Sequence, residues 1–405
     1  MKIFTTFLCL LTSALVQAQT YAKLRIDVGN ANGGPVSAIF KDVKFIPLET
    51  TRESLFGRIE HLIVTGDNFI VYDNTTNQVL IFTKQGKYVS KINDLPGAKH
   101  TQGLGFFEKV LFDYAHNEII VIPPSYQEAI RNKIFHFNLA GKLVKTEPFN
   151  NTLYWDAELL NGYYLLKKAK PGNIKESQDQ QYDYSLATDG VTSKKDILKH
   201  DTLFYLPPED RLNGGDLTLN HDKGKSFVIA SSEYYDNAFY KIDTSGVTDA
   251  YRFIFPASMT VPADFMRDKH FDGRRQDFLK DHPRMVYSIQ NIYINEHWLS
   301  FKFYNYDRKD SYILYSLKTG MPYSFERILP DPLSYNLPIF DNWPLIPVAY
   351  DQKIYTSVSS LNLTLAYKNG LNSSRAVNGE GLTMMKKMTR QQNPAIIELT
   401  PKDNL

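Results

Sequence analysis

The 405-residue chain holds one cysteine, Cys9, and it falls inside a leader-like segment. The rest of the chain has no thiol. Disulfides, zinc–thiolate centres and thiol nucleophiles are therefore excluded together. Net charge is also small: 46 Lys and Arg against 44 Asp and Glu leave a formal +2. Nucleic acid needs a clustered basic surface, so that class of partner is excluded. Beyond the leader no apolar run approaches 18 residues, and no transmembrane segment is expected. Short catalytic signatures are missing as well. The chain has no His-Glu-x-x-His zinc helix, Gly-x-Ser-x-Gly elbow, Gly-x-x-x-x-Gly-Lys phosphate loop or Asp-x-Asp-x-Asp-Gly calcium loop.

The leader reads as an address. Lys2 supplies a positive start, Ile3 to Val16 an apolar stretch, and Val16-Gln17-Ala18 small side chains where a signal peptidase reads. The apolar stretch is too short to span about 30 Å of hydrocarbon. Cys9 lies mid-stretch behind the bulky Leu8, which argues against lipid attachment. Residues 1–18 are thus expected to be a signal peptide and residues 19–405 a single exported domain, periplasmic or secreted. Without disulfides, such a domain depends on a large packed core.

Hydrophobic residues make up 43 % of the chain and charged residues 22 %, which excludes whole-chain disorder. Aromatics at 13 % favour strands. Phe69 to Asp73, Gln78 to Phe82 and Gly86 to Ile92 read as successive strands, with Asn74 to Asn77 and Thr83 to Gly86 as turns. With Ile59 to Val64 before them they make four antiparallel strands in about 40 residues, the size of a propeller blade. The order recurs through Ile119 to Val144, Tyr163 to Gly190, Ser226 to Phe255 and Trp298 to Gly320. Each unit carries a turn glycine after the same kind of strand: Gly86, Gly141, Gly190, Gly246 and Gly320.

A sixth unit starts near Trp343 to Ala349 and Lys353 to Val358 but lacks that glycine. Leu24 to Val28 and Ala395 to Leu399 alternate and are expected to complete it, since a ring must close and closure removes exposed edges. The fold expected is an all-β, six-bladed β-propeller whose last blade combines N- and C-terminal strands. A β-sandwich is the alternative. Pro262 to Pro283 and Glu380 to Gln392 fall outside the rhythm and read as short helical insertions, either lids or packing elements.

Phe45-Ile-Pro-Leu-Glu-Thr-Thr51 with Ser54 to Gly57, the unit Asp67 to Gly86, and Asn393-Pro-Ala-Ile-Ile397 carry a resemblance. They resemble the six-bladed propeller family of exported Bacteroidetes proteins, an NHL-repeat-like or TolB-like architecture. The resemblance implies that Phe45 to Thr51 opens the first blade and that Asn393 to Ile397 closes the ring. It supplies no shared catalytic motif. Many relatives carry a lipid-attachment cysteine after the signal, and this chain does not.

Histidines are scattered; His136 and His297 fall in or beside strands, where a lone histidine is usually a satisfied structural group. Asp268 to Asp272 and Asp307 to Asp310 are interleaved with cations and read as solvated faces. The first strand of each blade lines a propeller's channel, and one mouth gathers the loops leading into those strands. Arg58, Glu108, Trp155, Asp156, Asp216, Tyr287 and Trp343 occupy such positions. A cation, carboxylates and aromatic platforms suit a polar ring such as a sugar. Trp155 and Trp343 are equally suited to filling core between blades. Two functions follow. One is a non-catalytic, monomeric propeller binding a glycan, peptide or protein at one mouth, with no cofactor. The other is a hydrolase, lactonase or lyase in the channel, where calcium or another divalent metal would polarise a carbonyl or activate water.

Overall fold

The computed structural model describes residues 21–99, 107–150, 154–168, 182–199, 208–210, 212, 215–231, 235–307, 309, 311–341, 347–371, 376–403 and 405, less the side chains of 155, 199 and 208. It is a six-bladed β-propeller. Blade one consists of His61–Val64, Asn68–Asp73, Gln78–Thr83 and Tyr88–Ile92, paired in that order. Four similar antiparallel sheets follow, with inner strands Lys109–Asp113, Tyr154–Leu160, Leu217–Asp222 and Ser288–Ile294. Blade six pairs Val348–Tyr350, Lys353–Val358, Ala395–Pro401 and Phe40–Pro47.

The middle strands carry continuous apolar runs rather than a strict alternation. Ile119, Ile120, Val121 and Ile122 are all buried, because both faces of a blade pack on neighbouring blades. Six apolar clusters result, one at each junction between adjacent blades. At the seam, Ile46, Tyr355 and Ile396 of blade six meet Leu62, Phe69 and Phe82 of blade one. This interlocking closes the ring without a disulfide.

Closure by both termini is as expected, but the N-terminal strand is a different one. Leu24 lies in Ala22–Arg25, which pairs parallel with Gly246–Ile254 as a fifth strand on blade four. Asn32–Pro35 does the same on blade five against Pro322–Leu329. The chain thus runs around the outside of two blades before Phe40–Pro47 enters blade six. Phe45 to Pro47 is accordingly the outer strand of the last blade, not the opening of the first, and Ala395 to Pro47 is its register. Alternation fixes which face of a strand is buried but not which edge it joins, and that is why the assignment failed.

The turn glycines have a structural cause. Gly86 and Gly141 adopt φ of +81° and +72°, and a Cβ on either would collide with the outer strand of the preceding blade. At Gly141 the gap to the Lys91 carbonyl oxygen would be 2.6 Å; at Gly86 the overlap is with Pro47. Gly86→Ala is therefore expected to destabilise the fold by about 2 kcal/mol through strain and steric overlap at the seam. Thermal denaturation measures it, and an unchanged midpoint would refute the close approach.

Pro262 to Pro283 contains the short helix Arg275–Asp281, and Glu380 to Gln392 contains Gly379–Lys387. The first insertion packs by Phe265 and Leu279 into a cluster with Tyr235. A further helix, Ser360–Gly370, starts at Ser359, whose hydroxyl accepts from the Asn362 N–H at 3.2 Å. Among the described residues no helix is long and apolar enough to cross a membrane.

Candidate functional site

All six inner strands run the same way along the channel, giving a leading mouth where they start and a trailing mouth where they end. Tyr114, His221 and Tyr350 sit at the trailing ends of blades two, four and six. Their rings stack nearly parallel, His221 lying 4.8 Å from Tyr350 and 5.2 Å from Tyr114 between centroids. The Tyr114 hydroxyl donates to the Val64 carbonyl at 2.9 Å, and the His221 Nδ1 lies 2.9 Å from the Ser226 hydroxyl. Burial holds the Tyr114 phenol well above its usual pKa and lowers that of His221. These rings form an aromatic floor across the channel.

Above the floor is a cavity of about 90 Å³ bordered by His61, Lys109, Glu158, Thr218, Asn291 and Tyr293. Lys109 reaches from blade two to Asp156 of blade three at 2.6 Å. Burial opposes the Lys109 charge, but Asp156, Glu158 and Asp216 outweigh it and raise its pKa. Asp216 is fixed by the Asn291 N–H at 2.8 Å, the Ser231 hydroxyl at 2.9 Å and the Thr218 hydroxyl at 3.3 Å. Despite these donors, desolvation raises its pKa. Glu158 is 8 % exposed and accepts only the Leu159 N–H, at 3.0 Å, among the described residues. Burial pushes its pKa up to about 7, against the pull of Lys109.

His61 opens the inner strand of blade one, borders the cavity and keeps solvent-accessible surface. Desolvation first, and Lys109 second, lower its pKa to about 4. Tyr293 is 8 % exposed, and among the described residues its hydroxyl has no hydrogen-bond partner. Desolvation and the nearby Asp216 and Glu158 carboxylates raise its pKa.

The residues expected at this mouth divide as follows. Asp156 and Asp216 meet around Lys109. Arg58 stands on the loop before blade one, where the Asp73 carboxylate accepts from the Gly57 and Arg58 N–H groups at 2.7 and 3.3 Å. Its guanidinium pairs with Glu60 at 3.0 Å. Glu108 is exposed one residue before the inner strand of blade two. Tyr287 packs against Tyr306, 5.5 Å between centroids, beside the first insertion. The Trp155 side chain and Trp343 lie outside the described residues. Lys109 and Glu158 were missed although each is within two positions of an expected residue. The floor was missed because only the leading ends were considered; three aromatic rings at trailing ends were the available signal.

His136, held by Glu118 at 3.0 Å and Glu147 at 3.2 Å, is a satisfied structural group between strands. A larger concavity of about 760 Å³ lies on the rim between Phe40–Pro47, the helix Gly379–Lys387 and the turn at Gly86. Most of its ionisable groups are exposed, whereas the lumen gathers charges that burial perturbs. Ionisable groups perturbed by burial and by specific charge partners inside a cleft mark a functional-site candidate.

The chain is similar to a Bacteroides fragilis protein named as an exported protein, with a TM-score of 0.66, 14 % identity, and 95 % of this chain and all of the other covered. A Bacteroides vulgatus member of the duf4221 family aligns at TM-score 0.43 and 10 % identity, over 90 % of this chain and 97 % of its own. The PQQ-bound aldose sugar dehydrogenase of Streptomyces coelicolor aligns at TM-score 0.40 and 12 % identity, over 89 % and 98 %. The first establishes the fold; the other two are too distant to carry an argument. No curated protein sequence matches the chain. Residues 23–400 match the family described as Domain of unknown function (DUF4934).

Proposed function

This chain belongs to the DUF4934 family, and we propose that it is an exported, non-catalytic binding propeller that takes a glycan, peptide or protein ligand at its leading mouth. In this reading residues 1–18 are removed and residues 19–405 act as one monomeric domain related to NHL-repeat propellers. The supporting observation is the asymmetry of the channel. An aromatic floor blocks one end, while Lys109, Asp156, Glu158 and Asp216 face the other. A polar pit with fixed walls presents hydrogen-bonding groups to a ligand at little ordering cost.

Asp216→Asn keeps the shape and removes a charge held by three donors. Calorimetric titration of glycan and peptide panels is expected to show saturable binding that weakens about tenfold or more in this variant. Equal affinity in both proteins would remove the site. A second reading is favoured by Glu158, a carboxyl that keeps its proton near neutrality beside Lys109 and so suits acid–base chemistry in a hydrolase or lyase. Among the described residues no three His, Cys, Asp or Glu side chains converge to hold a metal ion, so this reading rests on Glu158 itself. Substrate turnover abolished by Glu158→Gln would select it over simple binding.

A further inference from the structure

Taking the leading mouth as the binding site, we propose that its pit holds one primary ammonium group, the –CH2–NH3+ end of a larger ligand. A cavity of about 90 Å³ is smaller than the roughly 150 Å³ that accommodates a benzene ring. A hexose ring does not fit, but a chain end does.

Lys109 is committed to Asp156 at 2.6 Å, leaving Glu158 and Asp216 in excess. Desolvation keeps His61 neutral near pH 7, so it adds no opposing charge. An anion would face the Asp216 charge and could not draw the proton from Glu158, whereas a cation is favoured by both groups.

Tyr293, a residue 8 % exposed, borders the same cavity, and among the described residues its hydroxyl has no hydrogen-bond partner. An ammonium has three donors to place. Glu158 and the Tyr293 oxygen border the cavity and supply acceptors from blades three and five; Asp216 of blade four stands behind them, its carboxylate already held by Asn291, Ser231 and Thr218.

A proton must leave when this cation enters. His61, Lys109, Glu158 and Tyr293 are the ionisable groups bordering the pit over a floor of Tyr114, His221 and Tyr350, with Asp156 and Asp216 close enough to act on Lys109 and Glu158. Of these Glu158 changes state most readily near neutrality, since its pKa of about 7 reflects burial that a bound cation offsets. Binding at pH 6.5 should therefore release roughly half a proton or more per ligand.

The experiment is calorimetric titration of the mature chain, repeated in buffers of different ionisation enthalpy. The probes are 1,5-diaminopentane and an end-capped lysine peptide, with n-pentanol and the Nε-acetylated peptide as controls. Both amines are expected to bind, the controls at least 30-fold more weakly. Tighter binding of the peptide identifies a protein source, and tighter binding of the diamine a free polyamine. Tyr293→Phe should weaken both about three- to tenfold. Glu158→Gln should fold, and should bind without proton release. Controls that bind as well as the amines overturn the ammonium assignment but leave the mouth as a site. If no amine binds up to about 10 mM while a glycan binds in an Asp216-dependent way, the assignment falls and the broader reading stands. If nothing binds, both fall.

Discussion

Arg275→Met is expected to destabilise the protein by about 3–5 kcal/mol, one of the two largest effects anticipated from a single change. Arg275 is 1 % exposed, as is its partner Asp210, 2.7 Å away. All five guanidinium donors are used. Nη1 donates to Asp210 and Asp272, Nε to the Phe265 carbonyl, and Nη2 to the Met266 and Asp268 carbonyls. Asp210 in turn accepts from the Gly273 and Arg275 N–H groups at 2.8 and 3.1 Å. Losing the guanidinium strands a buried carboxylate and three carbonyls at once. Replacing both partners, as Asp210→Asn with Arg275→Met, should recover part of the loss because no uncompensated charge stays behind. Urea denaturation of the two proteins tests this. A single variant as stable as wild type would mean that the clasp is solvated. The clasp ties Pro208–Asp210, just before the inner strand of blade four, to the insertion that precedes blade five. Loosening it should also disturb the loop that delivers Asp216.

Glu158→Gln is expected to do the opposite and stabilise the protein. The ordinary glutamate pKa of 4.5 is raised to about 7 in the fold. Between those values the folded state binds more protons than the unfolded chain, so this group's contribution is greatest below pH 4.5. It is lost as pH rises through 7. At about 1.4 kcal/mol per pKa unit, the ionised carboxylate costs of order 3 kcal/mol at pH 8. Glutamine removes that cost. The gain should appear at pH 8 and vanish near pH 4.5, and chemical denaturation at both values measures it. Equal differences at the two pH values would show that Glu158 titrates normally. A carboxyl retained at such a cost to stability is what a binding or catalytic site commonly shows.

The leading-mouth cluster was half visible in the sequence. Counting strands located the strand entrances where Asp156 and Asp216 stand. It could not find Lys109, because a one-residue step along a strand moves a side chain to the other face, nor Glu158, which shares the face of Asp156 but lies two positions deeper in the strand. The bulge between Tyr154 and Asp156 sets where that strand's regular pairing begins, which the sequence pattern does not mark. Tyr287 shows the converse error: it occupies the right loop, but an insertion beside it gives its ring other aromatic partners.

The sequence by itself determined the strand rhythm, the blade count, the turn glycines and the participation of both chain ends in closure. These follow from local alternation, turn chemistry and apolar runs, all encoded within a few residues. Only the tertiary structure decided that Ala22–Arg25 and Asn32–Pro35 sheathe blades four and five, that three rings floor the channel, and that three carboxylates surround one lysine. Those arrangements join residues tens to hundreds of positions apart. Pairing edge and lumen position depend on how six sheets converge on a common axis, and no local pattern in the chain carries that information.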